Sequence, residues 1–489
     1  MIDDRDARGQ PLYRALVFIV PLCLFIALAW LFISGHQSLY LTVLWRLGAT
    51  PYIKFPFLDL HGVLAAADCH RLGIGVFLSD PCDEFHRPFD YSPLWLDLLP
   101  GFFRRENVNP IGITLDLMFI ASLPLIMRPR SAGQCLLFIA AVVSTTVIYA
   151  LESANADVII FILMTAGGLL LAAPGPRRLA AYSIFFLGGL LKFYPFALLM
   201  LIVCERWRRA FTVAAIAVAA LLSFWWAYGH EIALALAGLT QVSYYDGFSA
   251  RNLPLGVTGL LPDGIDVSRD LLAVIMFLIL GICSVLLVSR IVRALDNDPR
   301  ALGRFTRETA YLLIGAIVLT GCFLAVSNIY YRGIFLLMVL PGLLQFRDNA
   351  ATLAIRRLFG LAVAAILFLL WEARFNLALS HVFGASVNSP EPGLAWAVGA
   401  AYWLARELLW WGLISLFVAL IIALFSRMPL ASDAALLLRR EPAGRWPEAP
   451  QCDLPLSTRS SARHLHGEFG APRSRRQYVS GARSGEDGA

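Results

Sequence analysis

Lysine is almost absent from this 489-residue chain: 40 residues are lysine or arginine, and just Lys54 and Lys192 are lysine. The compact lysine ammonium and the planar arginine guanidinium are not interchangeable. Lys192 lies inside an apolar run, residues 179–204, with arginines at both ends. An ionisable side chain at membrane depth is costly, so it marks a functional site unless a partner or a wet cavity explains it. We therefore predict that Lys192 binds a phosphate.

Charge in general is scarce, since 15% of residues are charged and 58% are hydrophobic. This composition excludes an ordinary soluble domain and indicates a polytopic membrane protein. The first apolar run, residues 15–34, is too long for a signal-peptide core and lacks a small-residue cleavage pattern, so we expect a retained helix. The sequence has no nucleic-acid-binding motif, and its basic residues concentrate in short loops, where they report topology.

The apolar runs predict an all-α bundle of membrane helices. Eleven runs have suitable length: 12–34, 110–127, 133–151, 156–173, 179–204, 210–229, 269–290, 309–326, 331–346, 354–371 and 403–426. With a cytoplasmic N-terminus, a single span at 179–204 would place every later basic loop outside, against the positive-inside rule. A break at Lys192-Phe193-Tyr194-Pro195, which proline favours, makes this run a hairpin and restores the rule. The prediction is then about twelve passes, both termini inside and Lys192 near the outer face.

This topology divides the chain into a membrane domain, residues 1–426, and a largely disordered cytoplasmic tail, residues 427–489. It leaves three long outer segments, residues 35–109, 230–268 and 372–402, of which the first is the largest. That segment contains two predicted helices, Leu39–Leu47 and Asp59–Leu72. The apolar face of the second helix could lie in the membrane interface. Its members are Leu60, Val63, Leu64, Ala67 and Leu72.

Two of the eight cysteines, Cys69 and Cys82, fall in an outer segment. In an oxidising compartment they could form a disulfide, and the alternative is two unpaired thiols. No cysteine or histidine spacing suggests zinc. Two Asp-x-His pairs, beginning at Asp59 and Asp68, are a weak pattern for other metals, so we predict no metal site.

Asp59 and two arginines are the other candidates for chemistry. Asp59 follows an apolar stretch and begins a predicted helix, where it could cap the first turn or act as a general base at the membrane surface. Arg251 precedes Asn252 in the second outer segment, and Arg332 follows Tyr330-Tyr331. Either arginine could join Lys192 around a phosphate, or could simply snorkel at a helix end.

Several stretches resemble motifs of the polyprenyl-phosphate-dependent, C-type glycosyltransferases, most closely glycosyltransferase family 87. They cover roughly the first 200 residues, with a weak recurrence at Tyr331-Arg332. Phe77 stands where the family often has tyrosine. The similar stretches are Phe57-Leu58-Asp59-Leu60, Gly73-Ile74-Gly75-Val76-Phe77, Tyr91-Ser92-Pro93, Asn155-Ala156-Asp157 and Leu191-Lys192-Phe193-Tyr194-Pro195.

The resemblance implies transfer of a mannose or pentose from a polyprenyl phosphate to a lipid or glycan acceptor, on the outer face of a bacterial inner membrane. It implies inversion with Asp59 as base, and stabilisation of the lipid phosphate by Lys192 with Arg251 or Arg332. Cationic side chains would remove the need for a metal or other cofactor. The pocket candidates are His61, Tyr91, Asn155, Asp157, Tyr194, Asn252 and Tyr331.

Two other functions use the same features. A transporter or flippase for a lipid-linked sugar or an anionic solute could bind its cargo at Lys192 without chemistry. It would need a polar route through both leaflets, whereas the charged residues cluster on the predicted outer side, and the sequence has no internal repeat. An O-antigen ligase or polymerase would tend to carry its large outer loop late in the chain, and here the largest comes first.

Overall fold

The computed structural model describes residues 4–49, 56–173, 175–238, 247–260, 268–325, 328–384 and 393–430, which are mostly helical. The all-α prediction is therefore confirmed. The predicted tail, residues 427–489, lies outside the described residues beyond residue 430.

The N-terminal half of the described chain forms ten α-helices and two 3-10 helices. The α-helices are α1 (Asp4–Ile33), α2 (Gln37–Leu47), α3 (Leu58–Arg71), α4 (Leu94–Leu98), α5 (Val108–Ile126), α6 (Ala132–Val142), α7 (Thr145–Glu152), α8 (Ala156–Leu171), α9 (Arg177–Lys192) and α10 (Trp207–Ala237). The 3-10 helices are Arg105–Asn107, which precedes α5, and Tyr194–Cys204, which follows α9.

The C-terminal half of the described chain adds eight α-helices, one 3-10 helix and two short strands. The helices are α11 (Asn252–Gly259), α12 (Arg269–Asp296), α13 (Pro299–Leu302), α14 (Arg307–Ala325), the 3-10 helix Tyr330–Phe335, α15 (Leu336–Asn349), α16 (Leu353–Leu370), α17 (Glu372–Phe383) and α18 (Leu394–Phe425). The strands are β1 (Gly247–Phe248) and β2 (Asn328–Ile329).

Seven helices in the described chain are long and apolar enough to cross a membrane. They are α1, α5 with the turn before it, α10, α12, α14, α16 and α18. An eighth span is possible if α6 and α7, which are bent by 45°, count as one. Other predicted spans form shorter helices: α8 has 16 residues, and α15 has 14. The count of twelve passes therefore stays a prediction.

The core is centred on α14, where the residues from Thr309 to Leu319 are buried. The Tyr311 hydroxyl donates a hydrogen bond to the Thr165 carbonyl oxygen over 3.1 Å and thereby ties α14 to α8. The bond is buried, and Arg307 Nη2 also approaches the Tyr311 hydroxyl at 3.5 Å, so these polar groups satisfy one another away from water. The contact fixes α8, which carries part of the site at its N-terminus.

Helix α3 confirms the second predicted helix, and it buries more residues than the predicted apolar face contains. Leu60, Val63, Leu64 and Ala67 are buried as predicted, whereas Leu72 is 73% exposed and follows the helix end. Other residues of α3, including Ala65 and Ala66, are buried as well. The helix is therefore packed against protein on more than one side, and its place in the membrane interface stays a prediction.

The predicted break at residues 192–195 lies at Phe193, whose φ is 54°. Beyond it the chain folds back, since the Tyr182 hydroxyl donates a hydrogen bond to the Leu201 carbonyl oxygen over 3.1 Å. The arms approach closely at Gly189, where a Cβ atom would overlap the Phe196 ring. The hairpin thus needs a residue without a side chain at this position. At the turn, the Trp95 indole N–H donates a hydrogen bond to the Leu191 carbonyl oxygen over 3.0 Å.

A two-stranded antiparallel ladder links the second predicted outer segment to the chain before Arg332. Gly247 pairs with Ile329 and Phe248 pairs with Asn328. Phe248 is buried, with its ring centroid 4.5 Å from that of Trp410. The ladder therefore anchors the segment that leads into Tyr330–Phe335.

The predicted disulfide between Cys69 and Cys82 is present, with their Cα atoms 5.9 Å apart. It ties the end of α3 to a loop that Asp80 and Asp83 organise. Asp80 accepts a hydrogen bond from the Cys82 amide over 2.9 Å, and Asp83 accepts one from the Arg87 amide over 3.2 Å. The bond therefore holds this loop against α3.

We expect Cys82→Ser to lower the free energy of unfolding by about 3 kcal/mol, because the bond closes a short loop and restricts the unfolded chain. Denaturant titration without reductant measures this loss. Cys283→Ser, at an exposed free thiol, is the control and should leave stability unchanged. Reductant should lower the free energy of unfolding of the wild type to that of Cys82→Ser. Equal stability of wild type and Cys82→Ser would contradict the prediction.

Candidate active site

Asn155 is the centre of the predicted site. It caps the N-terminus of α8, where its Oδ1 accepts a hydrogen bond from the Asp157 amide over 2.9 Å. The same Oδ1 accepts a hydrogen bond from Lys192 Nζ over 2.9 Å, and Nδ2 donates one to Asp59 Oδ2 over 2.7 Å. One buried amide thus joins the candidate base to the candidate phosphate-binding lysine.

Asp59 does not act as the cap of α3. Its own amide donates a hydrogen bond to the Ser153 carbonyl oxygen over 3.1 Å, and the Phe57 amide donates one to the Glu152 carbonyl oxygen over 2.6 Å. Carbonyl groups at the end of α7 therefore satisfy donors at the start of α3. The Asp59 carboxylate points to Asn155 instead, and its side chain is 21% exposed. It is held in place and remains open to an incoming molecule.

Asp157 gathers three polar side chains around a fully buried carboxylate. Its Oδ1 lies 2.8 Å from Lys192 Nζ and accepts a hydrogen bond from the Tyr194 hydroxyl over 2.6 Å. Its Oδ2 lies 3.7 Å from Arg332 Nε. Two cations thus share the Asp157 carboxylate, so Asp157 alone does not balance them. A buried charge of this kind favours an anion.

Aromatic rings enclose the two cations. Lys192 Nζ lies 5.2 Å from the ring centroid of Tyr91 and 6.0 Å from that of Tyr331. The Arg332 guanidinium lies 4.8 Å from the ring centroid of Tyr194. These distances are in the range of cation–π attraction. The rings therefore hold both cations while limiting water around them.

Arg87 belongs to the site, although no sequence pattern indicated its role. It donates hydrogen bonds from Nε and Nη2 to the two oxygens of Asp83, each over 2.9 Å, and its Nη1 lies 3.9 Å from Asp59 Oδ1. His61 approaches the same Asp83 carboxylate, at 3.8 Å. The disulfide loop thus brings a cation to the side of Asp59 that faces away from Asn155.

These contacts set the pKa values of two carboxyl groups outside the candidate spans. Burial raises the pKa of Asp59 above its ordinary value of 3.8, although the Asn155 hydrogen bond and the Arg87 charge oppose this shift. Burial would also raise the pKa of Asp83, but the close approach of His61 and the hydrogen bonds and charge of Arg87 outweigh it and hold the pKa well below its usual range. Asp83 therefore stays ionised, whereas Asp59 is the better proton acceptor.

Strained backbone flanks the site. Four non-glycine residues in the described chain have positive φ: Phe57 (66°), His86 (52°), Ala154 (44°) and Phe193 (54°). Each lies within two residues of Asp59, Arg87, Asn155 or Lys192. A residue in such a conformation costs about 1–3 kcal/mol, and these conformations concentrate at functional sites. Their coincidence with one cluster indicates that its geometry is maintained at the expense of stability.

The structure brings most of the predicted site residues together. Asp59, Tyr91, Asn155, Asp157, Lys192, Tyr194, Tyr331 and Arg332 form the cluster, with His61 beside it. Asn252 is buried at the start of α11. Arg251 is exposed at the N-cap of α11. Its role beside Lys192 stays a prediction.

The described residues contain one potential metal-binding group, formed by Cys69, Asp80 and Cys82. The two sulfurs are joined to each other, so they are not available as thiolate ligands. Comparison with known protein families, curated proteins and solved structures found no match.

Proposed function

We propose that this protein is a C-type glycosyltransferase that takes a mannose or pentose from a polyprenyl phosphate. One observation carries the proposal: the Asn155 amide bonds the Asp59 carboxylate on one side and the Lys192 ammonium on the other. A transferase of this kind needs a base beside the acceptor hydroxyl and a cation beside the leaving phosphate. Both groups bond the same Asn155 amide, so they lie close enough for one sugar bound over the amide to contact both.

The reaction would proceed in one inverting step. The acceptor hydroxyl oxygen attacks the anomeric carbon, and its proton passes to Asp59. The bond between the anomeric carbon and the phosphate oxygen breaks, and both electrons of this bond remain on the polyprenyl phosphate. Lys192 and Arg332 stabilise the negative charge that develops there, with Tyr194 holding Asp157 between them.

Electrostatics favours a lipid phosphate at this position. Lys192 and Arg332 carry one more positive charge than Asp157 neutralises, and all three side chains are at most 10% exposed. Hydrogen bonds to a charged group are stronger where water is excluded. These two side chains could supply the charge that a metal supplies elsewhere, so we expect transfer without an added divalent ion.

The finer architecture belongs to the same proposal. We propose the C-type glycosyltransferase fold, with about twelve membrane passes in a bacterial inner membrane. Both termini would be cytoplasmic, and Asp59 and Lys192 would face the periplasm. The disulfide between Cys69 and Cys82 supports this orientation, because such bonds persist in oxidising compartments.

Lys192→Met should remove the bound donor. Mass spectrometry of lipid that co-purifies with the wild type should identify a polyprenyl phosphate bearing a sugar. The variant should retain at least about tenfold less, because a hydrogen bond between charged groups is worth roughly 1.5–3 kcal/mol. Arg206→Met is the matched control, since it removes an exposed cation at the far end of the hairpin.

Retention of the same lipid by Lys192→Met would contradict the phosphate role. If a purified wild type binds the lipid-linked sugar but moves it between leaflets of a vesicle without transferring it, the transporter interpretation replaces the enzymatic one. If no lipid-linked sugar binds at all, neither interpretation stands.

The rate of transfer should rise with pH as Asp59 loses its proton. Because burial raises the pKa of Asp59, the acid limb of the rate profile should lie above pH 3.8. Arg87 favours the ionised form, so Arg87→Met should move this limb to higher pH. Arg71→Met, at the far end of α3, should leave it in place. If Arg87→Met leaves the acid limb of the rate profile at the same pH, Asp59 is not the group that titrates.

A further inference from the structure

A cavity of about 260 Å³ lies between α1, α2, α5 and α7, beside the candidate active site. Its walls are mostly aliphatic and aromatic, with Leu28 and Phe32 from α1 and Ile113 from α5. Helix α1 and the segment containing α5 are candidate membrane spans. We call this cavity the α1–α5 groove. An apolar chain is the ligand that such walls accommodate with a gain in free energy.

Two carboxyl groups also line the α1–α5 groove. Asp116 is 2% exposed, and its Oδ1 has no hydrogen-bond partner among the described residues. Glu152 lies at the end of α7. An unpaired polar atom at such depth is costly, and a ligand that donates a hydrogen bond would remove the cost. The groove is therefore apolar along its walls and hydrogen-bond accepting at these two positions.

The groove ends close to Asp59. Phe57, two residues before Asp59, lines it, and the Phe57 amide bonds to the carbonyl of Glu152, which also lines it. The Asp59 amide adds to the same contact between α3 and α7, because it donates a hydrogen bond to the Ser153 carbonyl oxygen. A chain lying in the groove would therefore present its head group to the candidate base.

The groove offers a phosphate no cation. The described residues that line it include no lysine or arginine, and its walls are mostly apolar. A phosphate would find no counter-ion there, whereas Lys192, which bonds Asn155, and Arg332 offer it two cations. A hydroxyl group would instead donate a hydrogen bond to a carboxyl oxygen. The groove thus discriminates between a charged and a neutral head group.

We propose that the α1–α5 groove binds the acceptor, and that the acceptor is an uncharged lipid with an alkyl chain and a hydroxyl-bearing head group. This inference rests on the proposed transferase function and restricts its acceptor to a lipid. The chain lies along α1 and α5, a head-group hydroxyl bonds Asp116, and the reacting hydroxyl reaches Asp59. The donor approaches from the Lys192 side.

Photolabelling tests the assignment without requiring turnover. The probes are dodecyl glucoside and dodecyl phosphate, each with a diazirine in its alkyl chain, added to the full chain in phosphatidylcholine nanodiscs. Dodecyl glucoside should label peptides of α1 and α5, and dodecyl phosphate should label them at least about tenfold less. Asp116→Leu should lower labelling by dodecyl glucoside, because it removes the hydrogen-bonding group that meets the head group, and should leave labelling by dodecyl phosphate unchanged.

Filling the groove should abolish labelling by dodecyl glucoside. Ile113→Trp should lower it about tenfold, and Ala29→Phe should do the same from the opposite wall, so the test survives if one variant fails to fold. Leu117→Trp is the matched control, since Leu117 is exposed on the same helix. Both filling variants should still retain the polyprenyl phosphate bound at Lys192.

Each outcome is decisive. Undiminished labelling in both filled variants, or stronger labelling by dodecyl phosphate than by dodecyl glucoside, overturns the groove assignment. If dodecyl glucoside labels the groove but the wild type transfers no sugar, the transferase proposal fails and the lipid site remains. If sugar transfer occurs while the groove is not labelled, the transferase stands and the acceptor binds elsewhere.

Discussion

Asp59→Asn should lower the rate of sugar transfer by about 10²–10⁴-fold, because it removes the general base. The substitution preserves shape, and the new amide oxygen can still accept the hydrogen bond from Asn155. Folding and retention of the polyprenyl phosphate should therefore be unchanged. The measurement is the initial rate of purified protein in nanodiscs, with thermal unfolding and lipid mass spectrometry on the same sample.

Asp97→Asn is the matched control for this experiment. Asp97 is 47% exposed in the same segment of the chain, where it pairs with His70 at 3.5 Å. Its loss should leave the rate within about twofold of the wild type, because exposed ion pairs contribute little. Transfer by Asp59→Asn at the wild-type rate would rule out Asp59 as the base, and loss of the bound lipid would indicate a binding role.

Asp157→Asn should be the most destabilising single change in the site, with a loss of about 3–5 kcal/mol in the free energy of unfolding. Asp157 is fully buried and compensates Lys192 and Arg332. Without its charge, two cations face each other in a site from which water is largely excluded. Denaturant titration in detergent measures the loss, and Asp348→Asn, at a surface ion pair, is the control.

A second substitution separates charge from shape. Adding Lys192→Met to Asp157→Asn removes one of the uncompensated cations, so the double variant should be more stable than Asp157→Asn alone. Such non-additivity is expected for residues in direct contact. Additive losses from the two changes would show that the pair at 2.8 Å contributes little, and that the cluster is held by packing instead.

Local sequence signals predicted several parts of the site, because they act over a few residues. Proline after Lys192-Phe193-Tyr194 predicted the break at Phe193, which the charge bias of the flanking loops required independently. The apolar periodicity after Asp59 predicted α3, and the two cysteines of the first outer segment predicted the disulfide. These features depend on neighbours in the chain and on compartment chemistry.

Contacts between distant segments could not be predicted in the same way. Arg87 reaches Asp59 because the disulfide loop folds over α3, and the sequence shows it merely as one arginine in an acidic stretch. Arg251 and Arg332 looked equivalent, since each lies near an aromatic cluster. The ladder between β1 and β2 leads Arg332 into the core, while Arg251 begins α11 at the surface. Tertiary packing, which no local pattern encodes, places Arg332 beside Asp157.

The late position of Arg332 in the chain has a consequence for biogenesis. Asp59, Asn155 and Lys192 are all synthesised before residue 205, but Asp157 acquires its second cation when the ladder of β1 and β2 has formed. Until then, Asp157 and Lys192 balance each other, and the second cation is missing. Binding of an anion by both cations therefore requires the complete bundle. An N-terminal fragment that contains Asp59, Asn155 and Lys192 would lack the second cation, Arg332.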